Sequence, residues 1–142
     1  MLTAPRPGIS VERVKSILVV DDDPMFAKLL EEILTGDGYR VATAGNGIEA
    51  LMLLADQAFD LLMIDIRMPE LDGPSFYREL AKGNPDHACR VMFMTGGPVG
   101  AETAELLSAV RTPVLRKPLA VKDIRDAVRR FFLAVDSFRR RV

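Results

Sequence analysis

The stretch Ile17-Leu-Val-Val-Asp-Asp-Asp-Pro24 places a continuous apolar run directly before three acidic side chains and a proline. A short run of this kind is typical of a strand that is covered on both faces of a parallel sheet. Apolar residues recur at helical spacing after Pro24, and Gly36 with Gly38 supplies a stop. The stretch therefore predicts a buried strand, an acidic loop and a helix, in that order.

The same alternation of a short apolar run and a helical pattern occurs five times. The strand candidates are Ile17–Val20, Val41–Ala44, Leu61–Ile64, Val91–Met94 and Pro113–Leu115. The later helices are predicted after the N-cap Asn46, from about Pro74 to Gly83, over about Ala101–Val110, and from about Ala120 onward. The pattern predicts an α/β fold with a doubly wound, five-stranded parallel sheet.

Length and composition indicate one globular domain. The chain has 142 residues, of which 49% are hydrophobic and 27% charged, enough to bury a core without metal or disulfides. We expect a flexible leader over residues 1–15, the domain over 16–133, and a C-terminal helical extension with a basic tail over 134–142. The lone Cys89 and the absence of a signal peptide favour the cytoplasm.

The charge balance argues against two classes of partner. The formal charge of −1 creates no overall field that would attract nucleic acid or an anionic membrane, so neither is expected to bind. A local exception stays open, because five arginines lie near the C-terminus, and nucleic-acid binding is the alternative to a solvated helix face. These arginines are Arg129, Arg130, Arg139, Arg140 and Arg141.

The last predicted helix carries apolar residues at alternating spacings of three and four, namely Val121, Ile124, Val128, Phe131, Val135 and Phe138. We expect the first half of this stripe to pack on the sheet. Val135 and Phe138 lie beyond that need, so they predict a homodimer or partner contact through this helix face. Five methionines are interpreted as core filling, namely Met25, Met52, Met63, Met92 and Met94.

Polar residues follow four of the five strands. Ligand sites in open parallel sheets form beyond the carboxyl ends of the strands, so these residues should converge. They are Asp21, Asp22, Asp23, Asp65, Thr95 and Lys117. Crowded carboxylates resist joint ionisation unless a cation neutralises them, which predicts a site for Mg²⁺, with Mn²⁺ as a substitute.

This set also suits phosphoryl chemistry. One of the carboxylates could attack a phosphoryl group and form an acyl phosphate. The Thr95 hydroxyl could then donate to one phosphoryl oxygen while the Lys117 ammonium neutralises another.

At this point the sequence resembles the receiver domain of two-component response regulators, from about Ser16 to about Leu133. The motifs are Ile17 to Pro24, Asp60-Leu-Leu-Met-Ile-Asp-Ile-Arg-Met-Pro69 with Leu71-Asp-Gly73, Met94-Thr95-Gly96 and Lys117-Pro118. The resemblance implies a flavodoxin-like (βα)5 receiver fold. It also implies a signalling domain rather than an enzyme, whose phosphorylation by a sensor histidine kinase or histidine phosphotransfer protein alters binding to a downstream protein target.

Carried over by position, the resemblance makes Asp65 the phosphoacceptor. It implies that Asp22 and Asp65 bind Mg²⁺ directly, that Asp21 acts through water, and that the main-chain carbonyl of Arg67 completes the protein ligands.

The resemblance further implies that Thr95 is the switch hydroxyl and that Lys117 contacts the phosphoryl group. Pro118 would follow through a cis peptide bond that fixes the direction of the lysine.

Three departures from the family pattern bear on the switch. Val114 stands where receivers commonly carry an aromatic residue, so signalling should depend on the glycine-rich loop at 96–100 and on a mobile fourth helix. Arg67 and Gly97 flank the site, and we expect slow spontaneous dephosphorylation because Gly97 cannot orient a water.

Two alternatives stay open. One is a binding module of receiver fold that is never phosphorylated. The other is a haloacid-dehalogenase-type phosphohydrolase with Asp21 as nucleophile and Asp23 as acid/base, although it leaves Asp65 unexplained and lacks a later pair of acids. The sequence also leaves open whether the receiver stands alone or belongs to a hybrid kinase.

Overall fold

The computed structural model describes residues 13–68, 71–110 and 112–141. Within them, five parallel strands form one sheet in the order β2-β1-β3-β4-β5. The strands are β1 (Ser16–Val20), β2 (Arg40–Ala44), β3 (Leu61–Asp65), β4 (Val91–Thr95) and β5 (Leu115–Arg116). The helices are α1 (Pro24–Gly36), α2 (Gly47–Asp56), α3 (Gly73–Gly83), α4 (Pro85–Ala88), α5 (Ala101–Ala109) and α6 (Val121–Arg141). The predicted fold class is confirmed.

The sheet separates two hydrophobic cores, because successive side chains of a strand point to opposite faces. On one face, Ile17 and Val19 of β1 pack with α1 and α6. On the other face, Leu18 and Val20 pack with residues of α2 and α3. All residues of β1, β3 and β4 are buried, as predicted for strands covered on both faces.

Two local predictions were wrong. The fifth strand begins at Leu115 instead of Pro113, because it pairs with β4 only at Leu115 and Arg116 and proline has no N–H for the ladder. The segment after α3 was predicted as a stop. It forms the short helix α4, in which the Asn84 side chain accepts a hydrogen bond from the His87 N–H at 3.4 Å.

Side chains cap the N-termini of α1 and α2. The Asp23 carboxylate caps α1 by accepting hydrogen bonds from the N–H groups of Met25 and Phe26. Asn46 caps α2 through the N–H of Glu49 at 2.8 Å, as predicted. After α1, Gly38 adopts a φ of 96°, a conformation that a residue with a Cβ rarely takes.

Helix α6 follows the predicted stripe only in its centre. Ile124 and Val128 are fully buried, but Val121 at the helix start is 41% exposed. Phe132, which the stripe omitted, is buried and stacks against Tyr39 at 5.4 Å between ring centroids. Val135 is half-buried and Phe138 is 70% exposed, so the proposed contact through this face stays a prediction.

The methionines also divide into two groups. Met63, Met92 and Met94 are fully buried, but Met25 and Met52 are 82% and 68% exposed because they lie on outward faces of α1 and α2. A leader was predicted over residues 1–15, and its first twelve residues lie outside the part of the chain that the structure describes. In the part of the chain that the structure describes, no helix is both long and apolar enough to cross a membrane.

His87 is a buried titratable group on the side of the sheet that carries α3. Its Nε2 accepts a hydrogen bond from the Phe59 N–H at 3.0 Å, so the proton of the neutral ring lies on Nδ1. Nδ1 is buried and has no hydrogen-bond partner among the described residues. Burial, followed by the charge on Arg90, lowers the pKa of His87.

This lowered pKa predicts a loss of stability in mild acid. The neutral ring stabilises the fold above the ordinary pKa of about 6.5, and that contribution is lost as the pH falls below it toward the folded-state pKa. Between pH 7.5 and pH 5.5 the melting temperature should fall by about 2 to 4 °C more in the wild type than in His87→Gln. Gln can accept the Phe59 hydrogen bond without titrating.

Circular dichroism melts of both proteins at each pH provide the measurement. The raised pKa of Asp65 acts in the opposite direction as the pH falls, and it is common to both proteins. Parallel pH profiles for wild type and variant would contradict the role given to His87.

Candidate functional site

Three carboxylates meet at the carboxyl ends of β1 and β3, which are neighbours in the sheet. Asp21 and Asp22 follow β1 directly, and Asp65 is the last residue of β3. Asp21 and Asp65 are buried, whereas Asp22 is exposed. One oxygen of each carboxylate lies within 4.8 Å of the others. The strand order therefore brings together acids that are distant in the sequence, as predicted.

Lys117 is the cation that faces this cluster from the end of β5. Its Nζ lies 2.7 Å from Asp21 Oδ2 and 3.5 Å from Asp65 Oδ2, and 4.3 Å from the centroid of the Phe26 ring. Burial acts to lower the pKa of Lys117, but the hydrogen bond to Asp21 and the two carboxylate charges together raise it. The ammonium is therefore firmly charged and held chiefly by Asp21.

Asp65 is left with the weaker partner. Burial, followed by the charge on Asp21, raises the pKa of the Asp65 carboxyl against the opposing effect of Lys117. Its Oδ1 accepts a hydrogen bond from the Arg67 N–H at 3.3 Å. Asp21 is better satisfied, because its Oδ1 also accepts a hydrogen bond from the Asp23 N–H at 2.9 Å.

The donor set fits a hard divalent cation. All three groups of the cluster are carboxylates, the ligand type that Mg²⁺ prefers, and exposed Asp22 keeps the site open to the waters that Mg²⁺ retains. A cleft of about 550 Å³ beside the cluster is lined by Asp22, Arg67 and Pro98, among others. Lys117 alone cannot neutralise two buried carboxylates, so a cation would be bound favourably here.

Thr95 lies at the end of β4, beside the acids, and its side chain is engaged with its own loop. Its hydroxyl donates to the carbonyl oxygen of Gly97 at 3.0 Å. Its carbonyl accepts a hydrogen bond from the Lys117 N–H at 2.7 Å, which joins the ends of β4 and β5. The structure therefore places Thr95 and Lys117 on the same rim as the carboxylates.

Gly73, the first residue of α3, packs closely against the backbone of Asp65 and Ile66. A Cβ at Gly73 would lie 2.8 Å from the carbonyl oxygen of Asp65 and 2.8 Å from the Cα of Ile66. The Gly73 N–H donates to the carbonyl oxygen of Ile66 at 3.0 Å. The turn after β3 can lie this close to α3 only because residue 73 has no side chain.

Other residues take roles that the sequence did not indicate. Asp23 caps α1, so its carboxylate is not part of the cluster. Phe26 lies beneath the Lys117 ammonium, a contact that the apolar pattern after Pro24 does not indicate. Two further positions bear on predictions made above. Val114 is half-buried. The Lys117–Pro118 peptide bond is cis, as the resemblance implied.

The Arg67 side chain reaches across to the β4–α5 loop, where its Nη2 donates to the carbonyl oxygen of Pro98 at 2.7 Å. The sequence predicted a role for the main-chain carbonyl of this residue and did not predict this contact.

Comparisons with known proteins found a matching family model and several relatives. A family model of the response regulator receiver domain matches residues 17–129. The transcriptional regulatory protein ZraR of Klebsiella oxytoca is 41% identical over 103 residues, which cover 72% of this chain and 23% of ZraR. The response regulator receiver protein CpdR of Brucella abortus is 31% identical over 121 residues, which cover 85% of this chain and 99% of CpdR.

A solved structure extends the similarity to the fold. The response regulator protein TrrA of Thermotoga maritima, crystallised in complex with Mg(2+)-BeF, is 31% identical, with a TM-score of 0.69. The match covers 83% of this chain and 99% of that one. By contrast, the chain spans only about a quarter of the length of the ZraR relatives that it matches.

The unequal sharing of Lys117 predicts opposite effects of two identical substitutions. Without metal, Asp65→Asn should raise the melting temperature by about 3 to 5 °C, or about 1 kcal/mol, because ionisation of a group with a raised pKa destabilises the fold at neutral pH. Asp21→Asn should lower it, because Lys117 loses its closer partner. Mg²⁺ should stabilise the wild type more than Asp65→Asn.

Thermal melts of the three proteins, each with EDTA and with millimolar MgCl₂, measure both effects. Equal shifts for the two variants, or no response of the wild type to Mg²⁺, would show that the carboxylates are not electrostatically crowded.

Proposed function

This chain belongs to the family of response regulator receiver domains, and from that premise we propose that it accepts a phosphoryl group on Asp65 and thereby changes its binding to a protein target. The proposed donor is a phosphohistidine on a sensor histidine kinase or on a histidine phosphotransfer protein. The observation that carries the proposal is the single ammonium of Lys117 between two buried carboxylates, next to an exposed third. We place the reaction in the cytoplasm, where the lone Cys89 would stay reduced.

The carboxylates would hold the metal ion that such a transfer uses. Asp22 and Asp65 would bind Mg²⁺ or Mn²⁺ directly, Asp21 would act through water, and the main-chain carbonyl of Arg67 would complete the protein ligands. When bound, the ion supplies positive charge that lets an anionic phosphoryl group approach a carboxylate.

The transfer itself asks little covalent chemistry of the protein. An oxygen of the Asp65 carboxylate forms a bond to phosphorus as the N–P bond of the phosphohistidine breaks, and the electron pair of that bond stays on the imidazole nitrogen. Lys117, already 3.5 Å from Asp65, neutralises one phosphoryl oxygen. The Thr95 hydroxyl exchanges its bond to Gly97 for one to a second oxygen.

Two relatives support parts of this proposal. TrrA was crystallised in complex with Mg(2+)-BeF, and its similarity supports a metal site in this chain too. ZraR is described as a transcriptional regulatory protein, and this chain matches less than a quarter of its length. We propose that the downstream target is a protein surface. It belongs either to a separate partner protein or to another domain of the same protein, because ZraR contains much more than the part that this chain matches.

The position of Asp23 argues against the phosphohydrolase alternative. That mechanism needs Asp23 as acid/base, but its carboxylate accepts two backbone hydrogen bonds as the cap of α1. A receiver-fold module that is never phosphorylated remains the competing hypothesis, and the following experiment separates the two.

The proposal predicts a single covalent adduct on Asp65. After incubation with a small acyl phosphate and Mg²⁺, intact-mass spectrometry should find one added phosphoryl group on the wild type and none on Asp65→Asn. Asp56→Asn is the matched control, because Asp56 is exposed at the end of α2, and it should be modified like the wild type.

Two results would overturn this assignment. An adduct of equal yield on Asp65→Asn would place the phosphoacceptor elsewhere. No adduct on the wild type, with the acyl phosphate left unconsumed, would favour the module that is never phosphorylated.

A further inference from the structure

Arg67 contacts both the proposed phosphoacceptor and the β4–α5 loop, residues 96–100. Its backbone N–H donates to Asp65 Oδ1 at 3.3 Å, and its guanidinium Nη2 donates to the carbonyl oxygen of Pro98 at 2.7 Å. The guanidinium lies along the loop, since a Cβ at Gly97 would be 3.5 Å from Nη2. A charge-assisted bond of this length is among the stronger hydrogen bonds in proteins.

The loop leads into α5, whose apolar packing is partial, because Leu106 and Leu107 contact the core while staying half-buried. All nine residues of α5 are described, and none of them is buried. Its N-cap is Gly100, which provides no side-chain hydrogen bond. An ion pair between Arg78 and Glu102 links α3 to α5, but both side chains are exposed, and exposed pairs contribute little. The position of α5 therefore depends both on the partial packing of Leu106 and Leu107 and on how the loop is held.

Two side-chain donors hold the loop, and both belong to the rim of the proposed site. Thr95 donates to Gly97 and Arg67 donates to Pro98 through Nη2, so each directs a hydrogen bond to a loop carbonyl. A phosphoryl group on Asp65 would bring three strong acceptor oxygens and additional negative charge to this rim. Both donors would then form stronger bonds to the phosphoryl group than to neutral carbonyl oxygens.

We propose that Arg67 is a positioning residue that holds the β4–α5 loop through Pro98 in the unmodified protein and releases it when Asp65 is phosphorylated. The holding contact stands on its own, and the release rests on the proposed function. Arg67 would thus supply a connection between the site and α5 in a chain that has Val114 instead of an aromatic residue before β5.

Hydrogen–deuterium exchange of the full chain tests the holding contact without phosphorylation. In Arg67→Met, peptides that cover residues 96–109 should exchange about three to ten times faster than in the wild type, as expected for losing one short charge-assisted bond between exposed residues. Peptides from β1 and β3 should be unchanged. Arg78→Met is the matched control, because it removes the exposed link to the same helix, and it should change exchange less than twofold.

A second measurement distinguishes release from a merely structural role. After treatment with a small acyl phosphate and Mg²⁺, with the adduct quantified by intact mass, exchange over residues 96–109 should rise in the wild type and converge with that of Arg67→Met. If Arg67 were only structural, the difference between the two proteins would persist after phosphorylation.

The outcomes separate this proposal from the proposed function. Faster exchange in unmodified Arg67→Met, without any adduct on the wild type, would support the holding contact and overturn phosphorylation together with release. An adduct on Asp65 with unchanged exchange in Arg67→Met would overturn the role of Arg67 and leave the proposed function standing.

Discussion

A single ammonium facing two buried carboxylates is the constraint on which the rest of the site depends. Lys117 lies 2.7 Å from Asp21 and 3.5 Å from Asp65, so the two acids share one positive charge unequally. Asp21 accepts hydrogen bonds from the ammonium and from a backbone N–H, whereas burial and the charge on Asp21 raise the pKa of Asp65. Of the two buried carboxylates, the less well paired one, Asp65, is therefore the one whose energy changes more when a cation or a phosphoryl group arrives.

The fold creates this imbalance through strand order and helix capping together. Because β1 lies between β2 and β3, Asp21 and Asp65 end on adjacent strands, and the backbone bond from Lys117 to Thr95 brings β5 to the same rim. Asp23, next in sequence, turns away to cap α1. Three consecutive acids thus take three environments: one buried and paired, one exposed, and one bound to a helix end.

The sequence predicted the features that depend on period and connectivity. Buried apolar runs located the strands, and the rule that polar groups gather at strand ends correctly predicted that Asp21, Asp22 and Asp65 lie close together. The features that it missed depend on side-chain direction. Nothing in the spacing of Phe26 indicates that its ring lies under Lys117, and nothing near Arg67 indicates that its guanidinium reaches Pro98. Helix α4 was missed because its four residues are too few to show a helical period. The exposure of Met25 and Met52 was missed because local pattern does not determine which face of a helix is covered.

The contact of Gly73 with the turn after β3 has a mechanical consequence. On that side of the site, the backbone of Asp65 lies against backbone atoms of the first turn of α3, with no flexible group between them to absorb a displacement. On the opposite side, the β4–α5 loop is held by side-chain hydrogen bonds, and α5 itself packs on the core only through half-buried side chains such as Leu106 and Leu107. The site is therefore stiff toward α3 and compliant toward α5. A change at Asp65 that pushes on its surroundings therefore displaces the α5 side more easily than the α3 side. The stiffness of the scaffold determines this direction before any partner binds.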